Sequence, residues 1–289
     1  MDGLGVAVRD FGLRGPRGWA FRGIGVDAGP GSLIAVEGPS GSGRTCLLLA
    51  LTGRMKPTEG VADVGGFKPP RHMAGLRRAT ALANVAGVTD LEPALTVGEH
   101  LRERALLERR FGASPRGLLR PRSERRAETR LLIDSALAAA GLDVEALPKG
   151  PRTAVRDLER LEELRLSVAL ALMSGPRLLA VDDTDFKLSD AERGQVWALL
   201  RSIAESGTTV LAVCSEAPGD AVTVSTRPAP AKNTKNTKAE NPENPEKTEK
   251  AEAEAEAEAE AEDHAKAGDK TGPGEEKGAA DALAETGRA

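Results

Sequence analysis

The stretch "VEGPSGSGRTCLLLALTG" (36–53) decides the fold. Its centre, Gly38-Pro39-Ser40-Gly41-Ser42-Gly43-Arg44-Thr45, fits the phosphate-loop pattern G-x-x-x-x-G-K-[ST] at every position but one, with Arg44 where the pattern has lysine. An apolar run leads into it and a leucine-rich helical pattern leaves it near Thr45. Glycines at 38, 41 and 43 free the backbone to turn successive N–H groups toward one phosphate, and the helix N-terminus adds its dipole. The expected unit is a strand, a phosphate cradle from Gly38 to Thr45, and a helix that continues through Cys46, with the Thr45 hydroxyl directed at Mg²⁺. Arginine binds phosphate, even bidentately, but its planar fork is bulkier than an ammonium. Binding therefore survives the exchange more readily than turnover.

Apolar runs bounded by turn signals recur at "SLIAVEG" (32–38), "ATALANVAG" (79–87), "RLLAVDD" (177–183) and "TTVLAVCS" (208–215). Each is apolar on both faces, as strands buried in a mainly parallel sheet are. Helical patterns lie between them at 45–53, 97–111, 126–141, 163–175 and 190–207, and Gly141, Gly175 and Gly207 follow three of these as caps. The alternation predicts an α/β fold with crossover connections.

The chain of 289 residues divides by composition. From Arg227 onward it carries 10 basic and 16 acidic residues, leaving 30 basic and 28 acidic in the part before. The body is near neutral, so bulk charge gives no footprint for nucleic acid or membrane lipid. Residues 227–289 hold Leu283 as their one large aliphatic side chain and read as a disordered Ala/Glu/Lys-rich tail. The basic run 116–130 reads as a solvated loop and helix face, with an acidic partner as the alternative. Two cysteines far apart, Cys46 and Cys214, give neither a disulfide framework nor metal spacing and fit a reducing cytosol. No apolar run approaches the ~20 residues of a membrane span, so work at a membrane requires a partner.

On these residues the chain resembles the ATP-binding cassette (ABC) ATPases, the nucleotide-binding subunits of ABC transporters. The resemblance covers about residues 4–225. "FRGIGVDAGPGSLIAVEGPSGSGRT" (21–45) is similar to the family's opening, "LTVGEHL" (95–101) to the start of its helical subdomain, and "GPRLLAVDDTDFKLSD" (175–190) to its second nucleotide motif. It implies a body at 1–226, a helical subdomain at about 90–170, and ATP with Mg²⁺ as cofactors. Asp182 falls on the family's Mg²⁺-ordering aspartate. Asp183 stands where the family has the glutamate that activates water, one methylene shorter. Trp19 and Phe11 are the candidates for stacking on adenine, and a core role for either is equally open. The implied partners are a separately encoded transmembrane subunit and a second cassette, so the location is cytoplasmic, peripheral at the inner face of the membrane.

Other positions depart from the family. Counting back from "LTV", its glutamine falls on Gly87. Counting back from Pro176, its L-S-G-G-Q signature falls on Leu158 to Glu162, where Glu159 and Glu162 would repel a phosphate. Its γ-phosphate-sensing histidine falls on Ser215, and its D-loop aspartate on Ser189, with Asp190 next. Two functions follow: an ATP-binding transporter subunit whose hydrolysis is weak or dependent on a partner, or a pseudo-ATPase serving as scaffold.

Overall fold

The computed structural model describes residues 2–112 and 121–227. The disorder expected beyond Arg227 and the middle of the basic run fall outside the described residues.

The strands are β1 (Val6–Gly15), β2 (Gly18–Ala28), β3 (Leu33–Glu37), β4 (Glu59–Val64), β5 (Thr80–Ala83), β6 (Leu178–Val181), β7 (Thr209–Cys214) and β8 (Val222–Ser225). The helices are α1 (Arg44–Leu51), α2 (Met73–Ala79), α3 (Val97–Gly112), α4 (Arg122–Ala140), α5 (Arg160–Leu172) and α6 (Asp190–Glu205). The four apolar runs become β3, β5, β6 and β7. They join β8 in a five-stranded sheet of order β5-β6-β7-β3-β8, every pair parallel. β5, β6 and β7 are buried at every residue, which is why they read as continuous apolar runs without alternation. A smaller antiparallel sheet, β2-β1-β4, turns its inward side chains (Val6, Val8, Phe11, Phe21, Ile24) into the same core as β3 and α1. β1 and β4 alternate weakly and carry bulges, so period alone did not announce them.

Helices α5 and α6 cover β5, β6, β7 and β3 through Leu164, Val168, Val196 and Leu200, all fully buried. A third cluster, with Val97, Leu101, Ala136, Leu147 and Leu166, holds α3, α4 and α5 together and lies apart from the sheet residues. Gly141 adopts the left-handed conformation that ends α4, φ 61°, and its N–H closes on Ala138. Ser189 caps α6: its Oγ accepts from the Glu192 N–H at 3.3 Å, and the Glu192 carboxylate accepts from the Ser189 N–H at 2.7 Å. The position matched to a D-loop aspartate therefore does helix-capping work. Ser189→Ala is expected to cost about 1 kcal/mol, a fall of roughly 2–4 °C in Tm, measured by calorimetry of the whole chain.

Candidate functional site

The C-terminal ends of parallel strands gather the polar residues, as the topology of an open α/β sheet requires. β3 ends at Glu37 and the loop 38–43 delivers the chain to α1. Three contacts fix that loop. The Ser42 N–H donates to the Pro39 carbonyl at 3.1 Å. The Ser42 and Thr226 hydroxyls are 2.6 Å apart, and the Thr226 N–H in turn donates to the Glu37 carbonyl at 2.9 Å. Gly43 lies at φ 85°, so close to β2 that a Cβ there would sit 2.0 Å from the Ala20 carbonyl oxygen. Only glycine permits that approach. The first turn of α1 then starts cleanly, the Leu47 N–H donating to the Gly43 carbonyl at 2.9 Å.

Loop and strand end meet at one bond. The Thr45 hydroxyl donates to Asp182 Oδ2 at 2.7 Å, across 137 positions of sequence. The other carboxylate oxygen accepts from the Asp183 N–H at 3.1 Å. Asp182 is 3% exposed, and burial pushes its carboxyl above the usual carboxylate range, against the opposing pull of the Thr45 bond. A carboxyl with a raised folded-state pKa stabilises the fold most when protonated, and that contribution is lost as pH rises through the raised value. Burial makes the charged form of this carboxyl costly, and a cation beside it would offset that cost. The donors on offer, a hydroxyl and a carboxylate, are hard oxygens of the kind Mg²⁺ takes in ones and twos beside phosphates and water. Among the described residues no group of three or more His, Cys, Asp or Glu side chains is placed to hold a metal alone.

Asp183 takes a left-handed conformation, φ 46°, and lines a cavity of 660 Å³ together with Gly38, Pro39 and Ser40. Ser215, just past β7, lines the same cavity; its N–H donates to Asp185 Oδ2 at 2.6 Å. Arg44 also lines it, but the guanidinium donates to the Cys214 carbonyl at the end of β7 instead of lying free over the loop. The buried Cys214 thiol is pushed up to about 12, by burial first and then by Asp185 and Glu37, which keeps it protonated. Cys46 is half-buried against the core in the first turn of α1.

The aromatic candidates separate. Phe11 is fully buried and packs on Phe21 with ring centroids 5.8 Å apart, so it is core and offers no face to a base. Trp19, 41% exposed, sits beside the residue that touches Gly43, but Arg22 covers its ring at 4.5 Å and Arg14 lies at 5.8 Å. It does not line the cavity of the phosphate loop.

Gly87 sits in an exposed turn closed by its N–H onto Asp90 at 2.8 Å. The side-chain amide at the end of β5 is Asn84, φ 57°, whose Nδ2 donates to the Asp182 carbonyl at 2.7 Å and whose Oδ1 accepts from Arg160 at 3.0 Å. A polar residue directly after the apolar run "TALA", beside an aspartate-ended strand, was the available signal. At the start of α5 the Glu162 carboxylate accepts from the Glu159 N–H at 2.9 Å, which makes these glutamates the helix's own cap. Leu158 to Glu162 do not reach the 660 Å³ cavity; Arg160 lines a neighbouring one with Asp183.

Comparison with known proteins places this architecture. The family model described as ABC transporter matches residues 21–185. An ABC transporter ATP-binding/permease protein of Mycobacterium tuberculosis is 31% identical over 191 residues, 66% of this chain and 20% of that protein. The Nod factor export ATP-binding protein I of Paraburkholderia xenovorans is 28% identical over 189 residues, 65% of this chain and 55% of that one. The chain thus spans between a fifth and about half of these relatives. Among solved structures, cbiO1 from Clostridium perfringens, part of the ABC transporter complex cbiONQ, superposes with a TM-score of 0.59 at 18% identity, covering 74% of this chain and 80% of its own. A dimeric ATP-binding cassette in a post-hydrolysis state with ADP and Pi gives a TM-score of 0.56 at 21% identity, over 73% of this chain and 88% of that one. Phosphate loop, aspartate-ended strand and parallel sheet agree with the family match, and the protein belongs to the ABC transporter family as an ATP-binding cassette.

Proposed function

We propose that this chain binds ATP with Mg²⁺ through Gly38 to Thr45 and Asp182, as the ATP-binding subunit of a transporter or related membrane complex. The observation that carries the reading is the 2.7 Å bond between the Thr45 hydroxyl and Asp182, which brings the loop's helix and the strand end to one point. Backbone N–H groups of the loop would hold the phosphates, and Thr45 and Asp182 would hold the cation, directly or through water. A bound Mg²⁺ would neutralise charge on the β- and γ-phosphates. No helix among the described residues is long and apolar enough to cross a membrane; in this reading the membrane component is a separately encoded subunit. Residues 1–226 form the nucleotide-binding body in this reading, with a helical subdomain at about 90–170.

Hydrolysis is expected to be weak, or to depend on a partner cassette. Asp183 is one methylene short of a glutamate, and general-base catalysis needs hydrogen-bond reach to the attacking water. Arg44 is committed to the Cys214 carbonyl. These two features favour the second reading, a scaffold or regulatory subunit without turnover. Steady-state phosphate release decides between them: a rate within background for the wild type, unchanged in Thr45→Ala, supports the scaffold, and turnover at ordinary rates that vanishes in Thr45→Ala removes it.

Binding itself is tested by thermal shift. Free ligand at 100 times Kd stabilises by about 2.7 kcal/mol, a rise of roughly 5–10 °C for a body of this size. Thr45→Ala should lose most of that rise, and Asp182→Asn should lose its dependence on Mg²⁺. Millimolar ATP–Mg²⁺ that moves neither Tm nor a calorimetric trace would end the proposal.

A further inference from the structure

The phosphate loop lacks the ammonium of its pattern, and the guanidinium that replaces it is turned toward the Cys214 carbonyl. The cavity in front of the loop nevertheless contains a lysine. Lys187 lines the same 660 Å³ space as Gly38, Pro39, Ser40 and Arg44. It comes from the segment 182–189, which is pinned on both sides of it. Before it, Thr184 is buried and its hydroxyl donates to the Val213 carbonyl at 2.9 Å, while Asp185 accepts from the Ser215 N–H at 2.6 Å. After it, Leu188 is buried and Ser189 caps α6.

Within this pinned segment Lys187 holds φ 59°, a left-handed conformation that lysine does not favour and that persists where surroundings dictate it. Its ammonium rests over the Phe186 ring, 5.1 Å from the centroid. Among the described residues no carboxylate forms an ion pair with it. Arg193 faces the same cavity but is paired with Asp190. Arg227 lines it too, as a planar guanidinium, so Lys187 is the compact ammonium among the residues lining this cavity, without a carboxylate of its own.

Resting on the reading of Gly38 to Thr45 as a nucleotide-phosphate cradle, we infer that Lys187 supplies, within the shared cavity, the ammonium that the loop itself lacks. It engages the terminal phosphate of a nucleoside triphosphate. A flexible four-carbon stem with three donors can leave an aromatic face for a phosphate oxygen, and the charge-assisted bond replaces the weaker cation–π contact. The residue would distinguish triphosphate from diphosphate, because a diphosphate lacks the terminal phosphate that it engages.

The test measures Kd for ATP–Mg²⁺ and ADP–Mg²⁺ by calorimetry on the full chain and on Lys187→Ala and Lys187→Gly. Losing one charge-assisted bond should weaken ATP about tenfold or more, while ADP stays within about twofold. Lys187→Gly carries the folding control: glycine accepts the left-handed backbone freely, so its ligand-free Tm should equal or exceed the wild type while ATP affinity still falls. If the wild type binds and both variants keep its ATP-to-ADP ratio, the role of Lys187 is wrong and the cradle reading stands. If the wild type binds neither nucleotide at millimolar concentration, both fall together.

Discussion

Gly43→Ala should abolish nucleotide binding and lower Tm by roughly 10 °C. The added Cβ would lie 2.0 Å from the Ala20 carbonyl oxygen and 2.6 Å from its carbon, and both are backbone atoms of β2. No rotamer change relieves such an overlap. Either β2 moves away from the loop or the loop unwinds, and overpacking of this sort costs about 1–3 kcal/mol. The left-handed conformation at φ 85° adds a further 1–2 kcal/mol or so for a residue with a Cβ. Their sum, on the order of 2–5 kcal/mol, brackets that fall for a body of about 220 residues. Gly41→Ala is the matched control. It has φ 80° with nothing within 4 Å of the added carbon, so it bears the backbone cost alone and should lose only a few degrees. Gly43→Ala melting within about 2 °C of wild type with ATP binding intact would show that β2 does not buttress the loop.

That contact also marks what the sequence could and could not disclose. The strands of the parallel sheet were legible because each is buried on both faces, which writes itself as an uninterrupted apolar run. The phosphate loop was legible because glycine spacing records backbone conformation directly, and Asp182 because it ends such a run. The site's other half came from long-range contacts that no local pattern records. Thr226 steadies Ser42 across 184 positions, and Asn84 ties the end of β5 to the carbonyl of Asp182 across 98. Asn84 carries no motif of its own, and its two bonds, to the Asp182 carbonyl and to Arg160, exist only once distant segments have packed together. Phe11 and Trp19 could not be told apart by sequence, since an aromatic residue reads the same in a core as on a surface. Their burial, 0% against 41% exposed, separates them. Lys187 had no local signal at all: its interest lies in a left-handed φ and a shared cavity.

In the presence of ATP–Mg²⁺ alone the chain should remain a monomer. The dimer that the family resemblance implies forms because the signature at one subunit's helix N-terminus binds the γ-phosphate held by the other. By the sequence resemblance that N-terminus falls on the start of α5, where a carboxylate of the helix itself is already engaged. The Glu162 carboxylate accepts the Glu159 N–H at 2.9 Å, and Arg160, the nearest cation, is held by Glu163 at 2.9 Å and by Asn84 at 3.0 Å. A phosphate brought to this helix end must displace a carboxylate from its cap and then remain beside it. Like charges about 4 Å apart cost about 1 kcal/mol in water and about 4 kcal/mol at an effective dielectric near 20. The second figure is the relevant scale once two subunits exclude solvent, and it corresponds to several hundredfold in association. A partner cassette with a glycine-containing signature would meet no such charge against Gly38 to Thr45, so heterodimerisation remains open to this chain where self-pairing does not. Light scattering with and without ATP–Mg²⁺ tests this, with Glu159→Ser/Glu162→Gln as the informative variant. It should self-associate more than the wild type when ATP is added, because the repulsion is gone while a neutral cap is kept. An ATP-dependent wild-type homodimer that disappears in Thr45→Ala would show instead that the acidic helix end accepts a phosphate, and that the capping carboxylate yields at little cost.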